Sequence, residues 1–253
     1  MLAWLTLPYV EQLCYRNQGT VAKGRNVLNI LAVGANPDDV ELLCSGTLAK
    51  YSANGGKITI CYMTTGDKGV IGGSAEEIRR VRCAEAKQAA DLIGASVTCL
   101  DVPDGEVFLT SDLRHGLVDV IGGCKPDIII THAPNDYMSD HRLTSQLVAE
   151  ASFWGSVKGR FTVAPVYFMD TLAGIGFSPA EYVDISDTFD TKRRMLACHQ
   201  SQVAFMKERN HIDFIEFMAT MARFRGLQCG ARYAEGFCRL DVWPTISTKR
   251  LLP

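Results

Sequence analysis

The sequence predicts an α/β protein with a Rossmann-like open, mostly parallel sheet and helices on both faces. Apolar runs of strand length alternate with segments of helical period, which is βαβα order. The first run is almost continuously apolar, as strands covered on both faces are. At 253 residues, 47% apolar and 21% charged, the chain has material for one large core.

In chain order, strands are expected at about 27–33, 58–63, 97–102, 128–131 and 163–169, with a weaker one at 182–185. Helices are expected at about 41–53, 75–93, 112–122 and 142–153. From about 187 onward the texture changes to two helical segments, "DTKRRMLACHQSQVAFM" and "HIDFIEFMATMARFRGL", and then a tail, "YAEGFCRLDVW", that reads as irregular. With no repeats and no low-complexity linker, 1–253 reads as a single domain, with an N-terminal arm over 1–25 and a C-terminal helical extension over about 187–253.

Composition excludes several classes of function. A net charge of −2 with only short basic clusters argues against a phosphate backbone as partner, so no nucleic acid is expected. Nine cysteines, an odd number set mostly in apolar runs such as "ITICYM", suit core thiols of a reducing compartment, and no paired Cys/His spacing signals structural zinc. The opening "MLAWLTLPYVEQLC" is too short to span a bilayer and lacks a leading basic residue, so a cytoplasmic protein without membrane association is expected.

Ligands of open α/β sheets sit beyond the carboxyl ends of the strands, where the strand order reverses. For an order 3-2-1-4-5, the first and fourth strands are neighbours there. That brings "GANPDDVE" (34–41) beside "THAPNDYMSDHR" (131–142), two segments rich in carboxylates and metal-capable groups. Taken alone, Asn36-Pro37-Asp38-Asp39 also reads as a helix start, with Asn36 as cap, Pro37 at the first position and Asp38, Asp39 and Glu41 at the positive end of the dipole. The imidazole and carboxylate of "SDH" at the same sheet end tip the reading towards a site. One glycine in the turn, without G-x-G-x-x-G, gives no signal for a nucleotide cofactor.

"AVGANPDDVELLCSGTLAKY" and "HAPNDYMSDHRLTSQLV" resemble the LmbE-like, or PIG-L, family of metal-dependent sugar N-deacetylases, whose marks are A-H-P-D-D-E and a later H-P-D-H. "MTTGDKG" (63–69), "RCAEAKQAADLIG" (82–94), "VPDGEV", the late "SQ" and "YAEGF" resemble bacterial members acting on thiol-precursor glucosaminides, such as the bacillithiol-pathway type; the likeness spans 27–237. It implies hydrolysis of an N-acetyl group from a small-molecule glucosamine conjugate, a divalent metal, most often Zn²⁺, and a homo-oligomer, hexamers included. The apolar stretch from Phe237 to Trp243 is a candidate interface. Carried over, Asp38 is the general base, Asp39 and His141 are metal ligands, and Asp140 supports the catalytic centre from behind. Arg82 and Asp104 match positions that hold sugar hydroxyls.

Two positions depart from the family pattern. Asn36 stands where the first motif has a histidine ligand, and Met138 where the second has the histidine that supports the oxyanion. An amide oxygen at Asn36 is a harder and weaker donor than imidazole, so zinc affinity falls and Mg, Mn or Ca compete better. Methionine donates no hydrogen bond, so Tyr137, Arg82 or His132 would have to supply that donor. The alternative is a member that keeps the fold and a sugar pocket as a binding or assembly subunit. By itself His132 reads as a satisfied strand-end histidine, Arg82 as a surface arginine beside Glu85, and Asp104 as a turn residue in Pro-Asp-Gly. His115, His199 and His211 carry no expected role, and Cys198-His199 is a poor dyad because adjacent helical residues point about 100° apart.

Overall fold

The structure, a computed structural model, describes residues 27–69, 72–242 and 252–253. The proposed N-terminal arm and Trp243 lie outside the described residues. The strands β1 (Asn29–Gly34), β2 (Lys57–Thr64), β3 (Ser96–Val102), β4 (Ile128–Thr131), β5 (Val166–Met169), β6 (Glu181–Asp184) and β7 (Ala234–Arg239) form one sheet of order β3-β2-β1-β4-β5-β7-β6. The five strands β3-β2-β1-β4-β5 are parallel, and β7 joins antiparallel to both β5 and β6. The expected order 3-2-1-4-5 is present, with two further strands at one edge.

Side-chain alternation on the strands splits the core into two layers. Ile30 and Ala32 of β1, with Ile58, Ile60 and Tyr62 of β2, face α1 (Asp39–Leu43), α2 (Ser45–Ala53), α3 (Ala75–Asp91), α6 (Phe189–Ala197) and α8 (Phe214–Cys229). Leu31 and Val33, with Cys61, Met63 and Ile129, face α4 (Ser111–Cys124) and α5 (Ser139–Val157). The helix α7 (Gln200–Asn210) runs between α6 and α8 in the chain. No helix among the described residues is long and apolar enough to cross a membrane.

The helix expected over 41–53 is two helices, broken at Cys44 (φ −143, ψ 6). The tail read as irregular is β7, buried over its first four residues. Its Glu235 sits in the core on Lys192 of α6 at 2.6 Å, and Gly236 leaves room that a Cβ would take from Pro179. A buried charge and a glycine disguised the strand. Phe237 is fully buried and pairs in register with Met169 and Glu181, which removes it from the proposed interface.

Glu235 accepts the backbone N–H groups of Gly46 and Thr47 as well as Lys192, whose ammonium also donates to the carbonyls of Glu41 and Leu42. This clip joins β7 and α6 to α1 and α2. Removing one partner strands the other charge in the core, so Glu235→Ala is expected to destabilise the fold by about 3–5 kcal/mol. Urea unfolding of the variant, read as a lower midpoint, checks this.

Candidate metal centre and its cavity

β1 and β4 pair in parallel, Val33 opposite Thr131. Their carboxyl ends therefore deliver Ala35 and His132 side by side, and the Ala35 N–H donates to His132 Nε2 at 2.9 Å. Beyond β1 the chain turns through Asn36 and Pro37 and enters α1 at once. Asp38 takes a left-handed conformation, φ 112 and ψ −22, at the helix start without a side-chain cap bond. Asn36 thus does not cap α1. Its backbone N–H donates to Asp39 Oδ2 at 2.6 Å, and its amide nitrogen donates to Thr64 Oγ1 and Asp104 Oδ1, each at 2.8 Å.

The group that converges is Asp39, His132 and His141, all buried, with one donor atom from each within 4.8 Å of the others. His132 Nε2 lies 3.2 Å from Asp39 Oδ2 and His141 Nε2 lies 3.4 Å from Asp39 Oδ1. The two rings stack with centroids 3.9 Å apart. His141 Nδ1 lies 3.0 Å from Asp136 Oδ2, which turns Nε2 towards Asp39; a carboxylate behind a metal-binding imidazole does the same. Asn36, for which the sequence suggested an amide ligand, has its side-chain nitrogen held by Thr64 and Asp104, and an imidazole from the end of β4 joins Asp39 and His141.

The metal-free packing is electrostatically incomplete, and a divalent cation fits it. His132 Nε2 cannot both accept the Ala35 N–H and donate to Asp39, while His132 Nδ1 is buried without a partner. Burial pushes the Asp39 carboxyl up, but the imidazoles of His141 and His132 overcome this and hold it well below the usual carboxylate range. Burial pushes His141 down, but Asp39 and Asp136 outweigh it and lift the imidazole to about 10. Burial also lowers His132, helped by His141. A cation among the three would take over the neutralising role of the proton on His141.

Asp38 points the other way. Its Oδ1 accepts from Arg82 at 2.8 Å, and the same guanidinium donates to the Pro37 carbonyl and to Gln202 of α7. Arg82 is 2% exposed, so it is not a surface arginine. Gly66 and Gly69 let the loop close over it, since a Cβ at either would lie within 2.9 Å of its side chain. Burial raises the Asp38 carboxyl to about 7; Arg82 lowers it and neighbouring Asp39 raises it. Glu41 turns into the core, accepting from Tyr62 Oη at 2.8 Å, with His199 Nε2 3.5 Å away.

Asp38, Asp39, His141, Arg82, Asp104 and Asn36 line one end of a cavity of about 510 Å³, with Tyr137 and Met138 also on its wall. Asp140 is not on that wall. It lies in the first turn of α5 and its Oδ2 accepts from the Gly105 N–H at 2.8 Å, so the group behind His141 is Asp136. Residues 140 and 141 are adjacent on a helix and their side chains diverge, whereas Asp136 lies in the turn before α5. His132 lies behind the wall. Thr64, Asp136 and Gln202 were not singled out from the sequence, although Thr64 lies in "MTTGDKG", Asp136 in "NDYMSDH" and Gln202 in the "SQ" of α7.

A buried carboxylate and two imidazoles at the switch point of an open α/β sheet form a group that could hold a metal ion where ligands of such sheets bind. Residues 31–152 match the family PIG-L, GlcNAc-PI de-N-acetylase. Diacetylchitobiose deacetylase of Thermococcus kodakarensis is 28% identical over 223 residues, covering 83% of this chain and 82% of that protein. 4-Oxalmesaconate hydratase of Pseudomonas putida is 25% identical over 258 residues, covering 92% and 94%. The crystal structure of a 4-carboxy-2-hydroxymuconate hydratase, also from P. putida, superposes with a TM-score of 0.75 at 23% identity, over 88% of this chain and 99% of that one, a likeness of fold.

The placement of the donors makes a metal-binding test direct. Asp39→Ala, His132→Ala and His141→Ala are each expected to abolish zinc binding, whereas Asn36→Ala retains it. Asp136→Asn is expected to weaken it about 10- to 100-fold. Competition titration against a chromogenic chelator reads all five, and retained zinc in His132→Ala would remove that residue from the site.

Proposed function

We propose that the protein is a metal-dependent N-deacetylase of glucosamine-type conjugates. The observation that carries this reading is a buried carboxylate raised to about 7, Asp38, on the wall of one cavity with Asp39 and His141 of the Asp/His/His donor set. Asp39, His132 and His141 would hold the ion. Two imidazoles and a carboxylate match the donor set of catalytic zinc, so Zn²⁺ is the proposed metal. When bound, the ion lowers the pKa of a water towards about 7 and polarises the amide carbonyl.

The chain's own residues do the rest. Asp38 takes the proton from the attacking water and returns it to the amine that leaves, a role suited to a carboxyl raised to about 7. Arg82, fixed by Gln202 and the Pro37 carbonyl, sets the direction of Asp38 Oδ1. Of the donors considered for the developing oxyanion, Arg82 is engaged and His132 is off the wall. Tyr137 remains, lining the cavity and 62% exposed at its rim.

Coverage of nearly the whole chain by a hydratase favours a second reading, addition of water to an unsaturated carboxylate. Such a substrate needs free cations. Arg82 is the sole lysine or arginine among the described residues lining the cavity, and it is bound to Asp38. That favours the neutral acetamide.

With the zinc-loaded protein and an N-acetylglucosaminide, acetate release is expected, and Asp38→Asn should lower its rate by roughly 100- to 10,000-fold while zinc content stays unchanged. Loss of zinc together with activity in Asp38→Asn would refute the division of roles. Absence of acetate release beside hydration of an unsaturated tricarboxylate would establish the second reading.

A further inference from the structure

The cavity is lined by two kinds of surface: the polar groups around Asp38 and Asp39, and an apolar set, Leu172, Phe205, Met206, Ile212, Phe214 and Phe217. All six lie after residue 152, outside the segment that matches the family, on the loop after β5 and on α7, α8 and the turn between them. Phe214 is buried and the others are partly buried. The polar groups that this region adds to the lining are Gln202, already bound to Arg82, and the amide of Asn210. It adds no charged residue.

A volume of about 510 Å³ exceeds what one hexosamine ring fills and lies in the range of drug-sized ligands, roughly 300–1,000 Å³. With the acetamide at Asp38 and Asp39, the rest of the ligand meets the apolar wall. A phosphate there would find no cation. A second sugar would bury hydroxyls against phenyl rings and aliphatic side chains with a single free amide to receive them, and unpaired buried polar groups are costly.

Resting on the deacetylase reading, we propose that the substrate is an amino sugar whose anomeric substituent is an uncharged apolar group, aryl or alkyl, seated on the wall formed by α7, α8 and the loop after β5. The wall makes this group a determinant of kcat/KM, since burial on apolar surface separates substrates that are identical at the reacting amide.

The test compares N-acetylglucosamine, N,N′-diacetylchitobiose, and phenyl and octyl N-acetyl-β-glucosaminides, the octyl compound below its micellar concentration, with the zinc-loaded full chain. Phenyl and octyl glycosides are expected to exceed both sugars in kcat/KM by about tenfold or more. In Phe205→Ser and Phe217→Ser the ratio of octyl to unsubstituted substrate should fall towards unity; because both substrates are read on the same protein, a folding defect cancels. Preference for diacetylchitobiose, or an unchanged ratio in both variants, would overturn the proposal. If no N-acetyl sugar is turned over, the deacetylase reading fails by itself, and calorimetry with octyl β-glucosaminide against glucosamine decides the wall: tighter octyl binding by about tenfold supports it, equal binding overturns it.

Discussion

Asp38 holds φ 112 and ψ −22, a left-handed conformation that costs a non-glycine residue on the order of 1–3 kcal/mol unless its surroundings impose it. Here they do. Asp39 accepts the Asn36 N–H on one side of the turn, and Arg82 grips both the Pro37 carbonyl and the Asp38 carboxylate on the other. The result is that three carboxylates close together in sequence point in three directions. Asp38 meets a guanidinium, Asp39 meets two imidazoles, and Glu41 meets Tyr62 and His199 in the core. A regular helix start would have placed Asp38 and Asp39 only about 100° apart on one rim, repelling each other without distinct partners.

The turn is held from behind by the C-terminal region. Lys192 donates to the carbonyls of Glu41 and Leu42, fixing α1 from below, and Gln202 reaches the guanidinium that holds Asp38. Glu85 of α3 accepts from both the backbone and the hydroxyl of Ser201, which fixes the start of α7 against the helix that carries Arg82. The helix that holds the Asp38 partner Arg82 through Gln202 also lines the cavity, so the carboxylate and the apolar lining depend on one set of helices.

The parts legible in the sequence were those set by periodicity and topology. Continuous apolar runs marked β1 to β5, and with the order 3-2-1-4-5 taken for such a sheet the segments carrying Asp38, Asp39 and His141 fall at one end of it. The parts that escaped depend on long-range partners. Glu235 looks like a surface residue until Lys192 is placed opposite it, so β7 was read as irregular. Asp140 is nearer to His141 in sequence than Asp136, yet helix geometry turns it to Gly105. Arg82 carries no mark that separates a surface arginine from one buried on Asp38. His132 was weighed as a satisfied strand-end residue because nothing local reveals that β1 and β4 align it with Asp39.

Positions 36 and 132 sit side by side at the mouth of the sheet. His132 follows directly on β4, in the centre of the sheet, and its ring is stacked on His141. Asn36 then bridges Thr64 at the end of β2 and Asp104 in the turn after β3. That bridge draws the carboxyl ends of three neighbouring strands towards one point and keeps Asp104 on the cavity wall. In this chain the departure at Asn36 therefore closes the mouth of the sheet beside the metal centre, a task to which a two-donor amide is suited and a metal-bound imidazole is not.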